Sequence, residues 1–137
     1  MTCIVGLVHS RAVYIGGDSA GVDRHYGLVI RNDRKVFRNG PFVMGFTSSF
    51  RMGQLLMHDF TPPIPREGVD VFEYMVTEFI DTARERMKRG GFARIKEGTE
   101  EGGTFLVGFR GRLFNIQDDF QVGFHAELVV ELRFGHD

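Results

Sequence analysis

The first eighteen residues form two strand-like runs, and these fix what stands opposite residue 2. Residues 2–8 (TCIVGLV) and 12–18 (AVYIGGD) are rich in β-branched and aromatic side chains, which suit a pleated, half-buried surface. Only His9-Ser10-Arg11 separates them, so the connection is a tight hairpin turn. A three-residue loop pairs Val8 with Ala12 and, counting outward, Thr2 with Asp18. A two-residue loop slips the register by one and still leaves Asp18 beside Thr2. Removal of Met1, which tolerates a small second residue, would give Thr2 a free amino group next to its own hydroxyl.

At 137 residues the chain is expected to fold as one domain, 1–137, with a real core. A net charge of −1 provides no global field that would draw nucleic acid or an anionic membrane, so neither is expected as a partner. No apolar run is long enough to cross a bilayer, and the N-terminus lacks the basic region of a signal peptide. The single cysteine, Cys3, allows no internal disulfide and fits a reducing, cytoplasmic setting. His9, His25, His58, His125 and His136 lack metal-ligand spacing, and neither a metal nor an organic cofactor is expected.

Further along, residues 25–30 and 35–37 read as strands around a turn at Asn32-Asp33, and residues 42–46 follow Pro41 as another. Ser48 or Ser49 is the expected cap of a helix from about Phe50 to His58. Thr61-Pro62-Pro63-Ile64-Pro65 can be neither helix nor central strand, because proline has no N–H to donate. Asp70 and Glu73 form a capping pattern, and Phe72, Met75, Val76, Phe79, Ile80, Ala83 and Met87 recur at the spacing of one buried helix face. Arg86, Lys88, Arg89 and then Gly90-Gly91 mark its end. Residues 92–102 read as a polar loop. Residues 104–109, 112–116 and 120–122 read as short strands, with a tight turn at Arg110-Gly111.

These motifs in this order, with Gly16-Gly17-Asp18-Ser19, a lysine on a later short strand, and Val43-Met44-Gly45-Phe46-Thr47-Ser48-Ser49 opening a helix, resemble the proteasome β-subunit superfamily. The likeness covers residues 2–123 and is nearest to the bacterial HslV-type peptidase and its phage and bacterial relatives. In that family the mature chain begins with a catalytic Thr and an Asp follows sixteen residues on, the spacing of Thr2 and Asp18. A Lys comes about thirty residues after the Thr, a position that Lys35 fits with one inserted residue. The resemblance implies an α+β fold of four layers, helices outside two packed antiparallel sheets. It assigns the oxyanion-binding amide to Ser48 or Ser49, where the family has glycines.

The implied chemistry accounts for the residue types. A Thr hydroxyl needs a base to become a nucleophile, and an α-amino group, with a pKa of about 7.7–8.0, can serve on the same residue. Lys35 as a cation would favour the neutral amine, and Asp18 would position Lys35. Each residue taken alone also fits a plainer role. Thr2 would be a strand residue under a retained Met1, Asp18 a turn opener, Lys35 a solvated charge among Arg31, Arg34 and Arg38, and the serines a helix cap.

The tail departs from the family. Phe124 takes the position of a helper Ser, residues 124–137 contain no Gly-Ser-Gly, and family members are longer by several tens of residues, so one outer layer is expected to be incomplete. Two functions follow. The first is a threonine peptidase that cuts unfolded polypeptide inside a homo-oligomeric ring, with a separate ATPase unfoldase as partner. The second is an inactive, truncated relative with a structural or assembly role. An amidase for small amides is a third possibility on the same nucleophile.

Overall fold

The computed structural model describes residues 2–18, 20–22, 28–30, 34–47, 49–91, 94–96, 99–101, 103–125 and 129–134. β1 (Thr2–His9) and β2 (Ala12–Gly17) form the expected hairpin, in the register of the two-residue loop: Val8 lies opposite Val13 and Ile4 opposite Gly17. Ser10 and Arg11 both have positive φ, 49° and 63°, the requirement of the mirror-image turn that matches strand twist. Asp18 therefore stands level with Cys3, one residue along from Thr2.

β3 (Ala20–Val22) and β4 (Leu28–Ile30) pair as a small hairpin. Residues 28–30 of the expected strand 25–30 form β4, and its first three residues and the Asn32-Asp33 turn lie outside the described residues. β5 (Val36–Asn39) starts one residue after Lys35, and β6 (Phe42–Phe46) occupies the expected span. Residues 92–102 contain a further short hairpin, β7 (Arg94–Lys96) with β8 (Thr99–Glu101), in place of the expected polar loop. β9 (Phe105–Phe109) and β10 (Arg112–Ile116) follow. β11 runs Val122–His125, two residues later than the sequence suggests, because Phe120 (φ 67°) is held in a turn. β12 (Val129–Phe134) lies antiparallel to β1 and pairs Phe134 with Thr2.

The strands assemble into a three-stranded sheet, β12-β1-β2, and a five-stranded sheet, β11-β10-β9-β6-β5. Between them pack Ile4, Leu106 and Leu113, with Val8, Val13, Ile15 and Val36 around them. Small residues allow this close approach: a Cβ at Gly45 would come within 2.8 Å of Ile15 and Ile4, and one at Gly108 within 2.6 Å of Val13.

The other face of the five-stranded sheet carries α1 (Phe50–His58) and a longer helix, which runs as α2 (Val71–Tyr74), a π-turn segment Met75–Phe79 and α3 (Ile80–Arg89). Met44, Phe46, Phe105, Val107 and Phe114 from the strands meet Met52, Leu56, Tyr74, Phe79 and Met87 from the helices. Asp70 caps α2 through the Phe72 and Glu73 amides, as its pattern predicts. The π segment corrects the expected helix face. The Ile80 amide reaches back to Met75, five residues away. Tyr74 enters the core as a result, while Phe72 and Val76 are turned outward.

Three layers are thus present among the described residues: helices, the five-stranded sheet and the three-stranded sheet. The outer face of the smaller sheet exposes Val5, Leu7 and Tyr14. No described helix is long and apolar enough to cross a membrane.

Candidate active site

Asp18 follows directly on β2, where the first hairpin holds it level with Cys3. Its carboxylate has two directed contacts: Oδ2 accepts the Cys3 backbone N–H at 3.1 Å, and Oδ1 accepts the Lys35 ammonium at 2.5 Å. Lys35 is buried, its side chain only 2% exposed, whereas that of Asp18 is 39% exposed. An ammonium in so dry a position requires a counter-charge. Its Nζ lies 5.7 Å from the centre of the Phe50 ring, at the start of α1. The Lys35 carbonyl accepts the Phe46 N–H at 3.0 Å, which ties the lysine to the end of β6.

The start of α1 is fixed from several sides. Ser49 is the N-cap; its hydroxyl accepts from the Arg51 and Met52 amides at 3.1 and 3.3 Å. Thr47, buried, contacts the Thr104 carbonyl through both its amide and its hydroxyl, each at 3.0 Å. At the far end of α1, the Asn39 side-chain amide donates to the Leu56 and Phe60 carbonyls, both at 2.8 Å. Of the two expected oxyanion donors, the Ser49 amide is already given to the Thr47 carbonyl at 2.8 Å. Ser48 lies outside the described residues.

Among the five expected site residues, the structure brings Asp18 and Lys35 into contact, carries Ser49 on the adjoining helix cap, and starts β1 at Thr2. Phe124 stands well away. It lies on β11, at the opposite edge of the five-stranded sheet from β5, and packs against Phe72 and Phe114. The Cys3 amide, Thr47 and Asn39 were not legible as site residues, since a backbone contact and two polar clamps leave no sequence pattern. Among the described residues, no cluster of three or more His, Cys, Asp or Glu side chains could hold a metal ion.

No protein-family model and no curated protein matches the sequence. Solved structures match it at the level of fold. Thiobacillus denitrificans BPH is 14% identical and superposes with a TM-score of 0.71, over 96% of this chain and 71% of that one. The eukaryotic HslV of Trypanosoma brucei is 16% identical, with a TM-score of 0.58 over 96% of this chain and 71% of that one. The Anbu complex of Pseudomonas aeruginosa, seen as a helical assembly, is 16% identical with a TM-score of 0.59, over 97% of this chain and 61% of that one. The fold is that of the proteasome-like N-terminal nucleophile hydrolases.

Proposed function

We propose that the chain is a threonine-type peptidase subunit that hydrolyses peptide bonds of unfolded polypeptides, with Thr2 as nucleophile after removal of Met1. The observation that carries this reading is the Asp18 carboxylate, which holds the backbone beside Thr2 with one oxygen and Lys35 with the other. A shared fold alone would not single out these residues.

The Thr2 Oγ bonds to the substrate carbonyl carbon while its proton passes to the Thr2 amine. The Lys35 charge keeps that amine available as a base by disfavouring a second cation nearby. The negative charge on the carbonyl oxygen is met by the Ser48 N–H, since that of Ser49 is engaged; one such donor is worth about 2.7–4 kcal/mol. The C–N bond then breaks, its nitrogen takes the proton from the amine, and an ester of Thr2 remains. Water adds to the ester, gives its proton to the amine, and the proton returns to Oγ as the acid leaves. None of these steps calls for a metal or an organic cofactor.

A homo-oligomeric ring in the cytoplasm, with a separate ATPase unfoldase, belongs to this reading. The oligomer is supported by the exposed Val5, Leu7 and Tyr14 and by the assembled state of Pseudomonas aeruginosa Anbu; the ATPase rests on the resemblance alone. A second reading, a catalytically silent subunit with an assembly role, is favoured by the same exposed sheet face.

The test is intact-protein mass spectrometry with a peptide epoxyketone, which needs both an N-terminal amine and the Thr hydroxyl. Thiobacillus denitrificans BPH has been solved in complex with one such compound, epoxomicin. Loss of Met1 and a single adduct, absent in Thr2→Ala, are expected. A retained Met1, or a free Thr2 without adduct, supports the silent subunit instead.

A further inference from the structure

β11 is an edge strand: among the described residues it pairs with β10 alone. Hydrogen bonding alternates along an antiparallel pair. The Gln117 amide, which donates to the Gln121 carbonyl at 2.9 Å, sets the phase. Counting by twos from there, Asn115 with Gly123 and Leu113 with His125 are the bonded pairs. The tight turn between β9 and β10 gives the same phase from the other side, since Phe109 and Arg112 close it. Val122 and Phe124 therefore turn their N–H and C=O groups away from β10, toward the open edge. The strand, Val-Gly-Phe-His, carries none of the charged residues or prolines that keep an edge from pairing. An aromatic patch lies beside it. The half-exposed Phe124 ring is 6.4 Å from Phe72 and 5.7 Å from Phe114, and Phe72 and Val76 on the helix are exposed as well. The Arg112 guanidinium stands over the Phe124 ring at 5.8 Å. At the other end of the strand, Asp118 and Asp119 form an exposed acidic turn.

We infer that the β11 edge pairs antiparallel with β11 of a second copy of this chain, about a two-fold axis through Gly123. A row of outward N–H and C=O groups two residues apart is matched by another strand. The axis sets Val122 against the second copy's Phe124, and Phe124 against its Val122, so every outward group of these residues finds a partner. Val122 and Phe124 both lie on the helix side of the sheet, and the axis keeps them there in both copies, which joins the two aromatic patches. Gly123 falls on the axis, with no side chain in the way. The antiparallel crossing also brings the acidic turn of one copy toward the second copy's Arg112, so that opposite charges meet at both ends. A contact of four strand residues and a few rings belongs to the weak, concentration-dependent class. It lies on a different sheet from the exposed Val5, Leu7 and Tyr14, and it does not depend on the peptidase reading.

The test is sedimentation equilibrium over a concentration series, on the parent and on Val122→Pro. Proline at 122 removes an outward N–H and leaves the bonds between β10 and β11 in place. The parent's mass is expected to rise with concentration. Val122→Pro should weaken that association about ten-fold or more, since each copy loses a hydrogen bond. Phe124→Lys should weaken it too, by placing a charge at the edge. Should these variants fail to fold, disulfide trapping in a Cys3→Ser background carries the test. Val122→Cys and Phe124→Cys proteins, mixed and mildly oxidised, should form a linked dimer faster than either alone, because Cα atoms about 5.5 Å apart suit a disulfide. Faster linking of Val122→Cys with itself overturns the axis through Gly123. Association that both edge substitutions leave intact overturns the inference and moves the contact elsewhere on the chain. A parent that stays monomeric also overturns it; fluorescence-polarisation binding of an extended peptide with apolar residues at alternate positions would then assign the edge to another polypeptide.

Discussion

Lys35 and Asp18 meet at 2.5 Å across very different surroundings: the lysine side chain is almost wholly shielded from water, and the aspartate is more than a third exposed. The ammonium therefore bears most of the desolvation cost, and the aspartate offsets it from the edge of the site. Asp18→Ala is expected to destabilise the fold by about 1–3 kcal/mol, since it leaves a charged donor short of its acceptor. In a double-mutant cycle with Lys35→Ala, measured by urea denaturation, the coupling should be about 0.5–3 kcal/mol. Effects that simply add would show that the pair contributes nothing as a pair.

Lys35→Met keeps the length of the side chain and removes its charge. The fold should survive, because a methionine suits the shielded position better than an unpaired ammonium does. Peptidase activity should fall, and the acidic limb of the pH–rate profile should move to higher pH. On the proposed mechanism the Thr2 amine, without that cation, would hold its proton more tightly and become a free base only in more alkaline solution. A rate loss with an unmoved acidic limb would mean that Lys35 acts by position and not through the amine.

The β1–β2 hairpin, β6 and α1 were legible because each carries a local signal: β-branched runs around a tight turn, or a serine cap before an apolar face. So was the proximity of Asp18 to the chain start, which follows from counting along a hairpin. The helix face around Phe72 and Val76 was misread because a π turn adds a residue to the repeat, and the side-chain pattern does not announce it. The hairpin β7–β8 is hidden in the sequence because its strands, Arg-Ile-Lys and Thr-Glu-Glu, are only three residues long and mostly polar, with no alternating pattern to tell them from a loop. The pairing of β12 with β1 depends on long-range register, and nothing local in 129–134 encodes it.

Gly53 lies where α1 crosses the Phe46 ring. A Cβ there would stand 2.2 Å from Phe46 Cε1 and 2.3 Å from Cζ, and the ring is itself buried. Alanine normally favours a helix interior over glycine by about 1 kcal/mol. Overpacking of about 1–3 kcal/mol outweighs that gain here. Gly53→Ala should lower the thermal midpoint. Gly16→Ala, with no atom within 4 Å of its added Cβ, should leave stability within about 0.5 kcal/mol of the parent. A Gly53→Ala protein as stable as the parent would mean that the Phe46 ring has room to move.

Tyr74 supplies a pH signature of the helix–sheet core. Its ring is wholly buried, and its hydroxyl donates to the Pro63 carbonyl at 2.6 Å, anchoring the proline-rich loop. Burial, reinforced by the nearby Glu78 carboxylate, pushes the phenol pKa up from 10.0 to about 12. Below pH 10 both folded and unfolded chains keep the proton, and stability does not depend on this group. Between pH 10 and 12 the unfolded chain loses the proton while the folded chain retains it, so the unfolded state gains and stability falls. Two pK units correspond to a loss of at most about 2.7 kcal/mol. Tyr74→Phe should cost about 0.5–1.5 kcal/mol at neutral pH through the lost Pro63 contact. Its denaturation midpoint should nevertheless fall less than the parent's across this window. Identical alkaline slopes in the two proteins would show that Tyr74 is not the group whose proton the fold retains.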